Sequence, residues 1–164
     1  MKVTFQGNPL SLSGHQVRVG ELFKNFHVVK NDLSPLSFTE THGVRIFLTV
    51  PSLDTPVCDM EVKTFNERAS SLPEVTIYTV SMDLPFAQER WCGSSGVNSV
   101  VTVSDYKDRS FAEATGTLIQ ELGLLTRAAF VVDSQNEIVH VEYLDEITEQ
   151  PDFESILSAA KSAK

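Results

Sequence analysis

The most regular pattern of apolar and polar positions lies in the middle of the chain, between residues 44 and 80. Residues 44–50 are almost continuously apolar and β-branched, as in a strand covered on both faces, and residues 75–80 repeat this pattern. The segment between them has apolar residues at helical spacing, which predicts a helix that Pro73 ends. Together they predict a strand–loop–helix–strand unit with a right-handed crossover in a mixed sheet. The inward face of the predicted helix contains Cys58, Val62, Phe65, Ala69 and Leu72.

The flanking segments predict shorter elements. Two β-type runs within residues 1–18, at 3–5 and 15–18, surround turn residues and predict an N-terminal hairpin. A short helix from Pro85, ended by Gly93, would place Cys92 in its last turn. The remaining expectations are brief strands and loops over 21–43, a strand near 100–103, a helix around 110–114, strands over 128–132 and 138–143 joined by a turn, and a C-terminal helix with Phe153, Ile156, Leu157 and Ala160 on one face.

Composition and charge limit the classes of partner. The 164 residues are 41% hydrophobic and 21% charged, close to the globular average, and no linker or repeat interrupts them, so residues 1–164 are predicted to form a single domain. A formal charge of −9 would repel nucleic acid. No apolar run is long enough for a signal peptide or a membrane span. We therefore expect a cytoplasmic protein that binds neither nucleic acid nor membrane.

Only two cysteines are present, Cys58 and Cys92, too few for a disulfide-stapled secreted domain. They do not form a C-x-x-C pair, and the four histidines show no zinc-site spacing, so no metal is expected. Glycine-rich nucleotide-binding loops and the serine-hydrolase elbow are also absent from the sequence. The two thiols therefore either carry redox chemistry or are simply buried.

The residues before Cys58 suit a reactive thiol. A cysteine in the first turn of a helix lies among unpaired backbone N–H groups at the positive end of the helix dipole, which favours the thiolate. The Thr55 hydroxyl, one turn earlier, can approach the sulfur or a bound oxygen, and Pro51 and Pro56 stiffen the loop. The alternative is structural, because a lone cysteine on an apolar helix face is more often a small core residue, and Thr55 can be a simple turn or cap.

A thiolate also needs a cationic partner, and two arginines are candidates. Arg127 directly precedes a predicted apolar strand and can project from the end of the sheet, whereas Arg45 lies inside a buried-strand pattern. An arginine beside a strand can equally be a solvated strand end or half of a structural ion pair. The nearby carboxylates of Asp54, Asp59 and Glu61 would oppose thiolate formation if they faced the sulfur, and we expect them to point to solvent.

These residues resemble the active site of the peroxiredoxins, and specifically of the bacterial thiol peroxidases, the atypical two-cysteine group. Pro51, Thr55 and Cys58 match the family motif P-x-x-x-[ST]-x-x-C. Arg127 matches the active-site arginine of the family, and Cys92 matches its resolving cysteine. The resemblance extends along nearly the whole chain, including the stretches SMDLPFA and DEIT.

The resemblance implies a thioredoxin-like α/β fold, with a central mixed sheet flanked by helices and an N-terminal β-hairpin. It also implies a homodimer that reduces hydroperoxides without a cofactor. Cys58 would attack the peroxide and become a sulfenic acid, while Arg127, Thr55 and the Cys58 N–H hold the peroxide oxygens. Cys92 would then close a disulfide with Cys58 within one chain, and thioredoxin would restore both thiols.

Two other functions remain open from the sequence. A thiol–disulfide oxidoreductase on the same fold would usually have a C-x-x-C motif, and a non-catalytic domain would have two buried thiols that react slowly. If the peroxidase reading is correct, thiols on separate helices need not lie within disulfide distance. One helix must then unwind, and we expect it to be the short helix that carries Cys92.

Overall fold

The computed structural model describes residues 1–164 as a mixed α/β fold with two sheets. In chain order its elements are β1 (Lys2–Phe5), β2 (Asn8–Ser13), β3 (His27–Lys30), β4 (Pro35–Ser37), β5 (Val44–Thr49), α1 (Pro56–Arg68), β6 (Val75–Ser81), α2 (Pro85–Ser95), β7 (Val101–Ser104), α3 (Ser110–Thr115), β8 (Leu118–Ile119), β9 (Leu124–Leu125), β10 (Ala128–Val132), β11 (Ile138–Tyr143) and α4 (Phe153–Ser162). None of the helices has the length and apolar character needed to cross a bilayer.

The central sheet has seven strands in the order β11-β10-β5-β6-β7-β3-β4. Strands β5, β6 and β7 run parallel, and the remaining pairs are antiparallel. The predicted unit of β5, α1 and β6 is therefore confirmed, as are the mixed sheet and the turn between β10 and β11. A second, four-stranded sheet in the order β1-β2-β8-β9 lies outside the central sheet.

Each face of the central sheet buries its own apolar cluster, because neighbouring side chains of a strand point to opposite faces. From β5, Ile46 and Leu48 pack on one face with residues of α1, α2 and α4. Phe47 points to the other face, where it joins a cluster that includes Phe111 of α3. Cys58 belongs to the first cluster, so the candidate thiol lies in the layer between the sheet and α1.

Helix α1 is shorter than the apolar stripe predicts. Thr55 caps its N-terminus and Pro56 occupies the first turn, where a missing N–H has no cost. The α-helix ends at Arg68, and one 3-10 turn leads to Leu72, whose backbone is no longer helical. The tighter turn still brings Leu72 into the core, which explains why the stripe continues beyond the helix.

Helix α2 continues past Gly93, contrary to prediction, and ends at Gly96. Gly96 adopts the left-handed conformation with φ +69°, and the N–H groups of Gly96 and Val97 both donate to the carbonyl of Cys92. Gly93 stays helical, which a glycine does at a cost of about 1 kcal/mol relative to alanine. Cys92 is nevertheless in the last turn, as predicted.

The N-terminal hairpin is confirmed, although its second strand differs from the prediction. β1 and β2 pair directly, and the connecting residues Gln6 and Gly7 both have positive φ, as tight two-residue hairpin loops require. Residues 15–18 are not a strand. β2 instead extends the small sheet through β8, and this pairing is non-local.

Candidate active site

The strand order brings the predicted site residues to one end of the central sheet. β5 leads through Pro51 into the loop before α1, and Cys58 lies in the first turn of that helix. Ala128, at the start of β10, pairs with Thr49, at the end of β5, so the preceding Arg127 lies beside the start of that loop. Thr55 accepts a hydrogen bond from the Cys58 N–H over 3.4 Å and caps α1. That N–H, expected from the resemblance to face a peroxide, is thus directed at Thr55.

Arg127 is the cationic partner that the structure brings to Cys58. Its guanidinium is almost fully buried and donates Nη2 to Cys58 Sγ at 3.0 Å. Its Nη1 donates to Glu61 Oε1 at 2.7 Å, and its Nε donates to the carbonyl of Ile147 at 2.8 Å. A planar fork held at three points cannot rotate away from the sulfur. Cys58 is fully buried, as the structural alternative requires, yet it faces a fixed positive charge.

Arg45, the rival arginine, has a structural role at a different position. Its guanidinium is buried and donates to the carbonyls of Thr41 and Asp133 and to the side chain of Asn136. It also lies 4.9 Å from the centre of the Phe38 ring. None of its hydrogen bonds reaches Cys58, so it fits the structural reading of an arginine within a buried strand.

The expectation that Glu61 points to solvent is wrong. Cys58 and Glu61 are three positions apart on α1 and therefore share a face, so the inward cysteine turns the carboxylate inward as well. Glu61 is fully buried, and its only hydrogen-bond partner is Arg127, because Oε2 has none. Asp54 is exposed, as expected, and Asp59 is half-buried, where it accepts a hydrogen bond from the Trp91 indole at 2.8 Å.

Glu61→Gln is expected to speed peroxide reduction above about pH 7 and to leave the rate at lower pH unchanged. Burial raises the pKa of Glu61 to about 7, although Arg127 opposes this effect. Above that pH the carboxylate and a Cys58 thiolate compete for one guanidinium, and a neutral amide removes the competition. Stopped-flow rates measured against pH test this, with Glu67→Gln, exposed on the same helix, as control. A rate above pH 7 that is unchanged or lower in Glu61→Gln would contradict the prediction.

The same raised pKa has a consequence for folding. Between the usual pKa of 4.5 and the raised value of about 7, the folded protein holds a proton on Glu61 that the unfolded chain releases. The stability that this group contributes is therefore present below that window and is lost as the pH rises through it. In Glu61→Gln this part of the pH dependence disappears.

A pocket of about 410 Å³ opens beside the thiol. Thr55 and Arg127, the two side chains that form hydrogen bonds with Cys58, are part of its wall. Its other lining residues come from the N-terminal hairpin, the loop before α1, the first turn of α1 and the segment after β11, and they are Phe5, Gln6, Pro51, Pro56, Val57, Ile147 and Thr148. A small polar oxygen ligand that enters this pocket would meet a hydroxyl and a guanidinium among mainly apolar atoms.

Cys92 is not bonded to Cys58 in this structure, and both cysteines are free thiols. The Cys92 Sγ is 3.4 Å from the hydroxyl of Thr102, which itself donates to Asn31 Oδ1, so the thiol acts as the donor to Thr102. A cavity of about 370 Å³ borders Cys92. The neighbouring Trp91 fastens α2 to α1 through its hydrogen bond to Asp59.

Asp83, in the SMDLPFA stretch, links the two cysteine-bearing segments, and sequence reasoning assigned it no role. Its carboxylate accepts hydrogen bonds from the Ser52 hydroxyl and the Leu53 N–H, both in the loop before α1. It also accepts from Ser81, whose hydroxyl in turn accepts from Gln88 of α2. The N-terminal half of α2 is therefore anchored to the Cys58 loop, whereas Cys92 lies in the other half.

Comparisons with known proteins agree with this geometry. A family model described as Redoxin matches residues 18–157. The thiol peroxidase of Clostridium acetobutylicum is 54% identical over 164 residues, all of both chains. The thiol peroxidase of Bacillus subtilis is 45% identical over 162 residues, 98% of this chain and 97% of that protein. Among solved structures, the peroxiredoxin-like protein from Aquifex aeolicus matches with a TM-score of 0.92 and 38% identity, over 98% of this chain and 95% of that one.

The chain belongs to the Redoxin family. Within that family it is a peroxiredoxin-type oxidoreductase of the thiol peroxidase group, with thiol-dependent peroxidase activity. The thioredoxin-like fold that the resemblance implied is confirmed.

Proposed function

We propose that this protein reduces hydrogen peroxide and alkyl hydroperoxides through a Cys58 sulfenic acid and an intrachain Cys58–Cys92 disulfide, which thioredoxin reduces. The observation that carries the proposal is the 3.0 Å contact between Arg127 Nη2 and Cys58 Sγ in the first turn of α1. A guanidinium and a helix N-terminus both stabilise a thiolate, and the thiolate is the form of cysteine that attacks peroxides.

In the first step the Cys58 thiolate attacks the terminal oxygen of the hydroperoxide. The S–O bond forms as the O–O bond breaks, so the sulfur is oxidised to a sulfenic acid and the peroxide is reduced. The transferred oxygen keeps its hydrogen, and the departing oxide takes a proton from water to leave as an alcohol, or as water from hydrogen peroxide. No cofactor takes part in this balance.

Arg127 and Thr55 are the groups that stabilise the transition state. Negative charge moves from sulfur toward the leaving oxygen, and donors already fixed beside that path need not reorganise. Arg127 is such a donor, because Glu61 and the Ile147 carbonyl fix it. The Thr55 hydroxyl donates its single hydrogen to the Ser52 carbonyl at 3.1 Å, so it must turn away from that carbonyl to donate to a bound peroxide. Pro51 forms the pocket wall beside them.

In the second step the Cys92 thiol condenses with the sulfenic acid, which releases water and leaves a disulfide. The C-terminal half of α2 must unwind, because Cys92 is helical and its carbonyl holds the helix cap. Its other ties are the hydrogen bonds from Cys92 to Thr102 and from Trp91 to Asp59, and the packing of the Trp91 side chain in the apolar cluster. Breaking them is a local opening that leaves the anchored N-terminal half of α2 in place.

Two thiols of thioredoxin then reduce the disulfide by exchange, taking on the oxidation in turn. We propose that this cycle takes place in the cytoplasm, where such dithiol reductants keep thiols reduced. We also propose a homodimer. The exposed apolar side chains of Leu84 and Phe86, at the start of α2, support a surface that a second copy covers.

Cys92→Ser is expected to complete one peroxide reduction and then stop. Without a resolving thiol, the Cys58 sulfenic acid accumulates and the protein gains the mass of one oxygen atom. Intact mass and thioredoxin-coupled turnover measure both effects, and the wild-type protein provides the comparison. If Cys92→Ser turned over with thioredoxin at the wild-type rate, Cys92 would not be the resolving thiol and this cycle would be wrong.

A further inference from the structure

The DEIT stretch contains a carboxylate that connects two separate parts of the pocket wall. Glu146 Oε1 accepts hydrogen bonds from the Thr4 hydroxyl and the Gly7 N–H of the hairpin, both at 2.9 Å. Its Oε2 accepts from the N–H and the hydroxyl of Thr148, at 2.9 and 2.6 Å. These bonds lower the pKa of Glu146 to about 2, and those from the Thr148 hydroxyl and the Gly7 N–H have the largest effects. Glu146 is therefore an ionised acceptor across the neutral range.

The hairpin tip, residues 5–7, depends on this carboxylate for its position. Backbone bonds between Thr4 and the 145–147 segment hold the strand only as far as Thr4. Phe5 also pairs with Asn8 inside the hairpin, but the bond from the Gly7 N–H to Glu146 is the one hydrogen bond that ties the tip to residues outside the hairpin. We call Glu146 and its hydrogen bonds to Thr4, Gly7 and Thr148 the Glu146 clamp. Because Phe5 and Gln6 of the tip line the pocket, this clamp sets the position of the pocket wall.

The other half of the clamp reaches the catalytic arginine. Ile147, between Glu146 and Thr148, lines the pocket and accepts the Arg127 Nε–H on its carbonyl at 2.8 Å. Its side chain packs beneath the hairpin, in a small buried cluster with Val3. A shift of residues 146–148 would therefore move two things at once. One is the Ile147 carbonyl that orients Arg127, and the other is the Ile147 side chain on which the hairpin packs.

We propose that Glu146 is a positioning residue of the peroxidase reaction, which acts through the hairpin tip on substrate fit and through Ile147 on the orientation of Arg127. This inference rests on the proposed function. It assigns to the tip, and to Phe5 above all, the selection of hydroperoxides with an apolar group, because a hydrogen peroxide molecule is too small to need that wall.

Glu146→Gln tests the proposal, since an amide offers one acceptor oxygen and turns an NH₂ group toward N–H donors. Stopped-flow fluorescence of Trp91, the single tryptophan, gives the rate of oxidation by hydrogen peroxide and by cumene hydroperoxide. We expect both rates to fall by about 10-fold, as for lost bonds to a charged group and a misplaced catalytic donor. The ratio of the cumene rate to the hydrogen peroxide rate should fall by a further factor of about 3.

Two further variants separate the parts of the clamp. Thr4→Val removes only the Thr4 hydroxyl and leaves the Gly7 bond to Glu146, so the hydrogen peroxide rate and the rate ratio should both fall by less than in Glu146→Gln. Glu154→Gln is the matched control, because Glu154 forms a surface ion pair with Arg68 away from the pocket. It should change neither rate.

Three results would overturn the inference. Rates of Glu146→Gln within twofold of wild type would show that the clamp does not position the site. Equal losses with both peroxides, together with a lower melting temperature, would show a merely structural role. A wild-type protein that does not consume peroxide would overturn the proposed function, and this inference with it.

Discussion

Cys58→Ser is expected to abolish peroxide reduction and to leave the fold intact. A serine hydroxyl keeps the shape of the side chain but is almost fully protonated near neutral pH and is a much poorer nucleophile. Enzymes usually accelerate their reactions by about 10⁶-fold or more, so loss of the attacking atom should bring turnover to the background level. The buried hydroxyl can still accept the Arg127 hydrogen bond, which avoids an unpaired donor.

Thioredoxin-coupled peroxide consumption measures this loss, and the melting temperature shows whether the fold is retained. Cys92→Ser serves as the matched control, because it also replaces a thiol by a hydroxyl yet keeps the attacking sulfur. The control should still react once with peroxide, whereas Cys58→Ser should not react at all. Near-normal turnover in a folded Cys58→Ser protein would remove Cys58 from the mechanism.

Arg127→Gln is expected to slow peroxide attack by about 10²- to 10³-fold, the usual effect of removing one preorganised transition-state donor. The amide lacks the positive charge that faces Cys58 Sγ. It also lacks the planar set of N–H donors with which Arg127 binds Glu61 and the Ile147 carbonyl. Glu61 loses its only partner, which costs on the order of 3 kcal/mol of folding stability. Burial raises the pKa of Glu61 and Arg127 opposes this effect, so without Arg127 the carboxyl takes up a proton more readily, which limits that cost.

Arg45→Gln is the matched control for the arginine, because Arg45 is equally buried and makes a comparable set of hydrogen bonds elsewhere in the fold. We expect Arg45→Gln to lower the melting temperature without slowing the reaction of the folded protein. Stopped-flow oxidation rates at several pH values distinguish the two variants. Equal losses of rate in both would contradict the role of Arg127.

The β5–α1–β6 unit is predictable from sequence because its two periodicities differ clearly and because proline marks the breaks. The buried strands read as continuous apolar runs, and α1 shows one apolar stripe. Where the helix ends is less predictable, since the stripe continues through a 3-10 turn to Leu72. The end of α2 was also predicted too early, at Gly93, where the helix in fact continues. A glycine ends a helix only where the backbone turns left-handed, and that occurs at Gly96.

Glu61 is the member of the site that sequence reasoning placed wrongly, although a signal was present. Carboxylates usually point to solvent, and this general tendency outweighed the helical spacing. The spacing was the better guide, because a residue three positions after an inward Cys58 lies on the same face. Arg127, rather than Arg45, contacts the Cys58 sulfur because it stands at a strand end, from which a side chain can reach α1.

The hairpin contacts and the small sheet could not be predicted from local patterns. β8 and β9 have two residues each, too few to show a period. Glu146 and Gly7 are 139 positions apart, and nothing near either residue in the sequence indicates that they meet. Pairings of this kind depend on the assembled fold rather than on local propensity.

The most direct test of the two-cysteine mechanism is the intact mass and thiol count of the reduced protein after one equivalent of hydroperoxide. Both thiols are free in this structure, which is the starting state for the experiment. The mechanism predicts that the peroxide is consumed, that both thiols become unreactive, and that the chain loses the mass of two hydrogen atoms as the Cys58–Cys92 disulfide closes. An unchanged mass, two titratable thiols and unconsumed peroxide would contradict it.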